Sequence, residues 1–280
     1  MEVITLDKIS LSDLTVCLNQ AFSDYFVKFS ATESYLQQRW KGAGIDFSLS
    51  SGVMEEDKLV GFIVNGIRDW NGLKTAFNAG SGVVPSHRGN GLTEKMYQFL
   101  RPKFIVNGIQ SMALEVIQEN IKAIHVYEKV GLKIRRGFHC FSGEIKIDST
   151  NPTQDLVIKE IKNPTWELFK SFYDFEPAWE SNNLAIKTCQ ELYSFFGVEN
   201  NHQLIAFAIV KNKNGDIPQF GVHSKFRNQW VGKFLFSHIS TLHSSIRSNN
   251  IDASALSVLK FLENIGLKNT VNQYEMVSYL

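Results

Sequence analysis

The stretch from Gly80 to Leu100 constrains the fold of this chain more than any other part of its sequence. A β-branched pair, Val83 and Val84, runs into a glycine-rich turn, SHRGNG, and an amphipathic segment follows from Leu92. This pattern predicts a strand, a tight turn and a helix. The unpaired N–H groups of a helix's first turn, with its dipole, attract anions. Because glycines let a bound group approach the backbone closely, the turn predicts a phosphate or pyrophosphate site.

The positive charge at this turn supports the same prediction. Arg88 adds a fixed charge with a fork of donors suited to phosphate oxygens. The glycine spacing matches neither the P-loop pattern nor the dinucleotide-binding pattern GxGxxG. A glycine turn alone is a weak signal, so its identification depends on sequence farther along the chain.

The turn and a segment downstream together resemble two signature motifs of the GNAT superfamily of N-acetyltransferases. Residues 88–93, RGNGLT, are similar to the motif R/Q-x-x-G-x-G/A, with Thr93 in place of the usual Gly or Ala. Residues 114–132 contain LEV, an asparagine and YEKVGL in the order of the second motif. Both motifs lie in the first half of the chain, and their order and separation make the resemblance specific.

The resemblance implies acetyl-CoA as co-substrate and no metal. In this family the backbone amides of the turn hold the pyrophosphate of coenzyme A, and the preceding strand pairs with the pantetheine arm. The residues assigned to the coenzyme in this way are Val83, Val84, Arg88, Gly89, Asn90, Gly91, Leu92, Thr93 and Asn120. Asn120 stands at a helix start, where simple capping of the helix is a second explanation.

The resemblance also indicates two catalytic residues. Acetyl transfer from a thioester to an amine requires a neutral amine and a proton for the leaving thiolate. Tyr127 matches the family's tyrosine beside the coenzyme sulfur and is predicted to be the acid, since a phenol with a pKa near ~10 stays protonated at neutral pH. The alternative is a core tyrosine with a bonded hydroxyl. Glu115 has the spacing of the base in similar ribosomal-protein alanine acetyltransferases; the alternatives are an ordered water as base and a paired structural carboxylate.

The acceptor is less well defined than the donor. By the same resemblance, Asp69, Trp70 and Asn78 border the acceptor side, where a cationic amine could bind through charge and cation–π contact. An exposed hairpin tip explains these residues equally well, so they receive no role. The sequence does not separate a small-molecule amine from a peptide amine.

Composition excludes several classes of partner. The chain has 280 residues, and 29 basic side chains nearly balance 28 acidic ones, which does not favour a nucleic-acid partner. No apolar run is long enough for a membrane span. The absence of a secretory signal and the three scattered cysteines predict a cytoplasmic protein with reduced thiols. A homodimer is one of the oligomeric states that the sequence leaves open.

The order of predicted elements and a weak internal repeat indicate two tandem domains. The first half predicts alternating strands and helices in the acetyltransferase order, with one strand over Lys58–Ile67 and a final hairpin over 132–147. The fold class is therefore α/β (α+β): two acyl-CoA N-acyltransferase folds, each a mixed, mostly antiparallel twisted sheet flanked by helices. Residues 148–164 begin with a polar cluster that marks a boundary. The predicted domains are 1–147, catalytic and acetyl-CoA-binding, and 152–280, a degenerate copy.

The second copy lacks the residues that the reaction needs. Trp230 stands in the position of Gly91, where its side chain would fill the space for a pyrophosphate, and Leu262 stands in the position of Tyr127. The expected function is direct transfer of an acetyl group from acetyl-CoA to a primary amine by the first domain. The alternative is a non-catalytic acyl-CoA-binding sensor or interaction module.

Overall fold

A computed structural model describes residues 1–24, 30–147 and 155–280 of the chain. Most of the polar segment predicted as a domain boundary, 148–154, lies outside the described residues. The strands are β1 (Glu2–Thr5), β2 (Ser51–Glu55), β3 (Lys58–Trp70), β4 (Leu73–Val83), β5 (Ser111–Ile117), β6 (Lys133–Gly143), β7 (Leu156–Glu160), β8 (Tyr193–Asn200), β9 (Gln203–Lys211), β10 (Gln219–Val222), β11 (Ile246–Asp252) and β12 (Lys268–Tyr279). The α-helices are α1 (Leu11–Ala21), α2 (Glu33–Ala43), α3 (Leu92–Val106), α4 (Ile121–Lys129), α5 (Trp166–Lys170), α6 (Asn183–Thr188), α7 (Val231–Leu242) and α8 (Leu256–Asn264).

Residues 1–135 and 274–280 form the first of two compact units. Its strands lie in the order β1-β2-β3-β4-β5-β12, with β4 and β5 parallel and β1 to β4 antiparallel to one another. A Cβ atom on Gly82 would meet Ala21 of α1, whereas one on Gly61 would meet Met96 of α3. These two helices therefore cover opposite faces of the sheet. The predicted fold, a mixed and mostly antiparallel sheet flanked by helices, is confirmed.

Residues 136–273 form the second compact unit. An antiparallel sheet in the order β10-β9-β8-β7 packs against α7. In the same unit β11 pairs antiparallel with β6, and β12 lies beside β6.

The internal repeat predicted from the sequence is present in the backbone. A 3-10 turn, Pro85–His87, precedes α3, and an equivalent turn, Ser224–Phe226, precedes α7. Gly91 and Trp230 are the N-caps of α3 and α7, and both have φ 67°. The equivalence of these two positions therefore holds in three dimensions.

Two strand predictions need correction. The predicted hairpin over 132–147 is instead a single strand, β6, because no turn sequence interrupts it and its partners β11 and β12 come from much later in the chain. The strand predicted to end at Ile67 continues to Trp70. It turns through Asn71 and Gly72, at φ 51° and 80°, which is the Asn-Gly pair typical of a two-residue hairpin turn.

The compact units do not end at the predicted boundaries, 1–147 and 152–280. Most of β6 belongs to the second unit, and the last part of β12 belongs to the first. The division into a catalytic and a degenerate domain concerns function and stays a prediction. In the described part of the chain, no helix is both long and apolar enough to cross a membrane.

Candidate active site

The glycine turn at the end of β4 forms an open cradle next to the start of α3. Val84 is buried and its N–H donates to Val60 O at 2.9 Å, which fixes the end of the strand. Gly89 and Gly91 have φ 82° and 67°, a region that favours glycine. A Cβ atom on either would meet nothing within 4 Å. The space beside them is therefore open, next to the N–H groups that the first turn of α3 leaves without partners inside the helix.

Arg88 holds this turn against the end of α1. Its Nε donates to Val83 O at 3.1 Å, and its Nη2 donates to Ala21 O at 2.8 Å. Its Nη1 and Nη2 also donate to both carboxylate oxygens of Asp24, at 2.7 and 2.8 Å. The hydrogen bonds that Arg88 donates lower the pKa of the Asp24 carboxyl group, and the same bonds raise the pKa of Arg88. Since most of its donors are used in this way, the turn's attraction for an anion depends mainly on the backbone N–H groups.

A β-bulge in β4 places two polar side chains on one face of the sheet. The pairing of β3 with β4 shifts by one residue at Ala79. Without the shift, Asn78 and Ser81 would project to opposite faces, because side chains alternate along a strand. With it, both face α3, and Asn78 Nδ2 donates to Ser81 Oγ at 3.0 Å.

Tyr127 of α4 and Tyr97 of α3 complete a hydrogen-bonded network with this polar pair. Tyr127 Oη lies 2.9 Å from Ser81 Oγ, and Asn78 Nδ2 also donates to Tyr97 Oη at 2.9 Å. Asn78 Oδ1 accepts from Gly80 N–H at 3.0 Å, which fixes the amide orientation. Tyr97 is buried, and this burial raises the pKa of its hydroxyl well above the ordinary value, so it stays neutral. Because Ser81 Oγ accepts from Asn78, its own proton can be donated to Tyr127 Oη.

The two parallel strands of the first unit separate next to this network. The ladder between β4 and β5 ends at the pair Asn78 and Leu114, although β4 continues to Val83 and β5 to Ile117. Glu115 is the first residue of β5 beyond the ladder. By alternation it projects to the face opposite Asn78, the face that α1 covers. Tyr127 and Glu115 therefore approach the opening between the strands from opposite faces.

The other predicted site residues have structural contacts of their own. Asn120 is the N-cap of α4, and its Oδ1 accepts from Ala123 N–H at 3.2 Å, which is the capping role. Leu92 is buried and anchors the start of α3, where Thr93 is half-buried. These structural roles of Asn120, Leu92 and Thr93 are compatible with contacts between the same residues and the coenzyme.

The residues considered for the acceptor are separated by the structure. Asp69 lies near the tip of the hairpin between β3 and β4, whereas Asn78 belongs to the tyrosine network. Trp70 is buried, and the guanidinium carbon of Arg135 lies 5.2 Å from the centre of its ring. A cation of the chain itself therefore takes the cation–π position considered for the acceptor. Among the described residues, no group of three or more His, Cys, Asp or Glu side chains could hold a metal ion.

Comparison with known proteins gives the same fold. Residues 15–132 match the model of the acetyltransferase (GNAT) family. A GCN5-related N-acetyltransferase from Sphaerobacter thermophilus has a TM-score of 0.74 at 12% identity and covers 99% of this chain and 95% of its own. The tandem GNAT protein from the clavulanic acid biosynthesis pathway has a TM-score of 0.73 at 11% identity. The alignment covers 99% of this chain and 98% of that protein. A putative acetyltransferase from Pyrococcus horikoshii has a TM-score of 0.68 at 13% identity. The alignment covers 100% of this chain and 88% of that protein. No curated protein sequence matches.

The fold and the family match at residues 15–132 together define an acyltransferase. More particularly, residues 15–132 form a domain of the GNAT family of acetyltransferases, and nearly the whole chain shares the fold of the tandem GNAT protein.

Proposed function

We propose that the first unit transfers an acetyl group from acetyl-CoA directly to a primary amine. The observation that carries this proposal is the position of Tyr127 Oη, 2.9 Å from Ser81 Oγ, where β4 and β5 separate. The glycine turn lies at the end of the same strand. This arrangement supports the proposal, because a thioester with a distant pyrophosphate requires a proton donor and an anion-binding turn along one strand edge.

The glycine turn fits the coenzyme on physical grounds. Two positive φ angles, open space beside both glycines and unpaired N–H groups of α3 suit a pyrophosphate. Arg88 contributes by holding the turn in place. The proposed coenzyme-binding residues are Val83, Val84, Arg88, Gly89, Asn90, Gly91, Leu92, Thr93 and Asn120.

The two proposed catalytic residues move protons in opposite directions. Acetyl-CoA supplies a thioester whose C–S bond breaks as the amine nitrogen bonds to its carbonyl carbon. Glu115 accepts a proton from the amine, directly or through water, and Tyr127 donates its phenolic proton to the leaving thiolate. Ser81 then donates a hydrogen bond to the Tyr127 oxygen, which stabilises the charge left there.

We assign the second unit no acetyl transfer, because Trp230 and Leu262 replace Gly91 and Tyr127. The proposed acceptor is a small-molecule or peptide amine, and a cytoplasmic setting is proposed. The three cysteines are free and buried, which agrees with a reducing compartment.

The proposal is tested by thiol release from acetyl-CoA with a panel of amines: polyamines, amino acids, aminoglycosides and peptides with a free N-terminus or lysine. The wild type is compared with Tyr127→Phe, Glu115→Gln and the control Tyr279→Phe, which removes an exposed hydroxyl. General acid–base catalysis contributes about 10²–10⁴-fold, so we expect kcat to fall at least ~10²-fold in Tyr127→Phe. The dissociation constant of coenzyme A should stay within about twofold, because the phenol acts on the leaving group.

Two results would contradict the proposal. Unchanged turnover in Tyr127→Phe and Glu115→Gln would remove both residues from catalysis. Coenzyme binding without thiol release for any amine would favour the non-catalytic acyl-CoA-binding module.

A further inference from the structure

The second unit contains a cavity of about 680 Å³ between β10, α7 and α8. In the internal repeat this cavity lies where the coenzyme site of the first unit is proposed, with Arg227 and Trp230 in the positions of Arg88 and Gly91. Its volume is within the range of small-molecule sites. The residues that line it all belong to the second unit, so the site does not depend on the function proposed for the first.

The start of α7 is unsuited to a pyrophosphate. Beside Gly91 the corresponding space is open, whereas here the Trp230 side chain begins at that point. Trp230 is 41% exposed, and Lys233 Nζ lies 4.3 Å from the centre of its ring. The side chain therefore occupies the place that a pyrophosphate would need and adds an apolar surface to the cavity lining.

The inner wall of the cavity is aromatic. Phe236 lies edge-to-face against Phe220 and Phe261, at 5.1 and 5.2 Å between ring centres. Leu256, at the start of α8, is 64% exposed although it lines the cavity. Leu256 and Trp230 are thus two exposed apolar side chains in the cavity lining, which indicates an apolar ligand.

The charges on the wall indicate an anionic group on that ligand. Asp174 is the one carboxylate among the described lining residues, and its oxygen lies 2.7 Å from Arg227 Nη1. This ion pair leaves the charges of Lys233 and Lys260 in excess. Both lysines are at least partly exposed, so a carboxylate near them can keep part of its hydration.

We propose that this cavity binds an apolar monocarboxylate. The apolar part lies against the three phenylalanine rings, and the carboxylate lies near Lys233 and Lys260.

The test is isothermal titration calorimetry of the full chain with hexanoate, octanoate and decanoate, each with and without saturating coenzyme A. We expect one carboxylate per chain, unaffected by coenzyme A. Affinity should rise about fourfold per added methylene, the fold-change that corresponds to ~0.8 kcal/mol per buried CH₂. Decanol, which has the same chain without the charge, should bind at least tenfold more weakly than decanoate.

The double variant Lys233→Gln/Lys260→Gln should weaken decanoate binding at least tenfold, since it removes both excess charges. Lys213→Gln removes one exposed charge from a turn of the same unit that does not line the cavity, and it should leave the affinity unchanged. The proposal is overturned by any of four results. These are no saturable carboxylate binding, several carboxylates per chain, equal decanoate affinity in the double variant and the wild type, or displacement of the carboxylate by coenzyme A when one coenzyme A binds per chain. Urea unfolding of each variant tests whether the fold is retained.

Discussion

At the scale of single residues, Ser81 is the best test of how the Tyr127 proton is controlled. Ser81→Ala removes the hydroxyl that lies 2.9 Å from Tyr127 Oη. We expect kcat to fall roughly 3- to 30-fold with little change in the KM for acetyl-CoA, because a hydrogen bond to a charged oxygen is worth ~1.5–3 kcal/mol at most sites, and water replaces part of it. Steady-state kinetics measures both parameters.

The control for Ser81→Ala is Ser237→Ala, which removes an exposed hydroxyl from α7. If kcat is the same in the wild type and both variants, Ser81 has no part in proton transfer. A large increase in KM with unchanged kcat would instead make Ser81 a binding residue.

Cys17 provides a second residue-scale prediction, on pH. Burial raises the pKa of its thiol to about 12, against an ordinary value near ~8.5. Below pH 8.5 the thiol is protonated in both states, and as the pH rises above this value ionisation in the unfolded state reduces the stability of the fold. We expect the native protein to react slowly with 5,5′-dithiobis(2-nitrobenzoate) at pH 8. Three equivalents of thionitrobenzoate per chain, one for each cysteine, should be released only after unfolding. Rapid reaction of the native protein would show that the thiols are accessible.

At the scale of elements, Gly91 and Gly108 form a matched pair for testing the turn before α3. Their φ angles are 67° and 69°, and a Cβ atom on either would meet nothing within 4 Å. Each substitution to Ala should therefore cost a similar ~1–2 kcal/mol of backbone strain. Only Gly91→Ala puts a methyl group at the proposed pyrophosphate site, and we expect it to weaken coenzyme A binding at least tenfold.

Calorimetry with coenzyme A and urea unfolding measure these two effects separately. Equal coenzyme affinity in Gly91→Ala and Gly108→Ala would exclude the turn as the coenzyme site. A coenzyme stoichiometry of two per chain in the wild type would show that Trp230 does not block the second unit.

Elements also show which parts of the site are predictable from sequence. The turn, the start of α3 and the placement of Tyr127 on a helix depend on local patterns, such as Gly spacing and apolar periodicity, and the sequence contains them. The network behind Tyr127 does not follow from such patterns. Strand alternation puts Asn78 and Ser81 on opposite faces, and only the bulge at Ala79, produced by pairing with β3, brings them together. Tyr97 likewise looks like an ordinary core residue in the sequence.

At the scale of the whole molecule, the first unit includes the end of the chain, which no local pattern indicates. Met276 is buried in the same hydrophobic cluster as Met112 and Leu114 of β5. Leu280 N–H donates to Gln110 O at 2.9 Å. A fragment ending where the sequence predicts the domain boundary therefore lacks a strand of its own sheet.

We expect the fragment 1–147 to aggregate or to unfold without cooperativity, because β5 then exposes a bare edge and the cluster loses Met276. A fusion of 1–147 to 268–280 through a flexible linker should recover a cooperative urea transition and coenzyme A binding. A second fusion with Met276→Asp and Leu280→Asp controls for the added length, since the charged side chains cannot enter the cluster. A cooperative transition of the unfused fragment, with the same midpoint as the first fusion, would mean that the end of β12 is dispensable and that 1–147 is a complete domain.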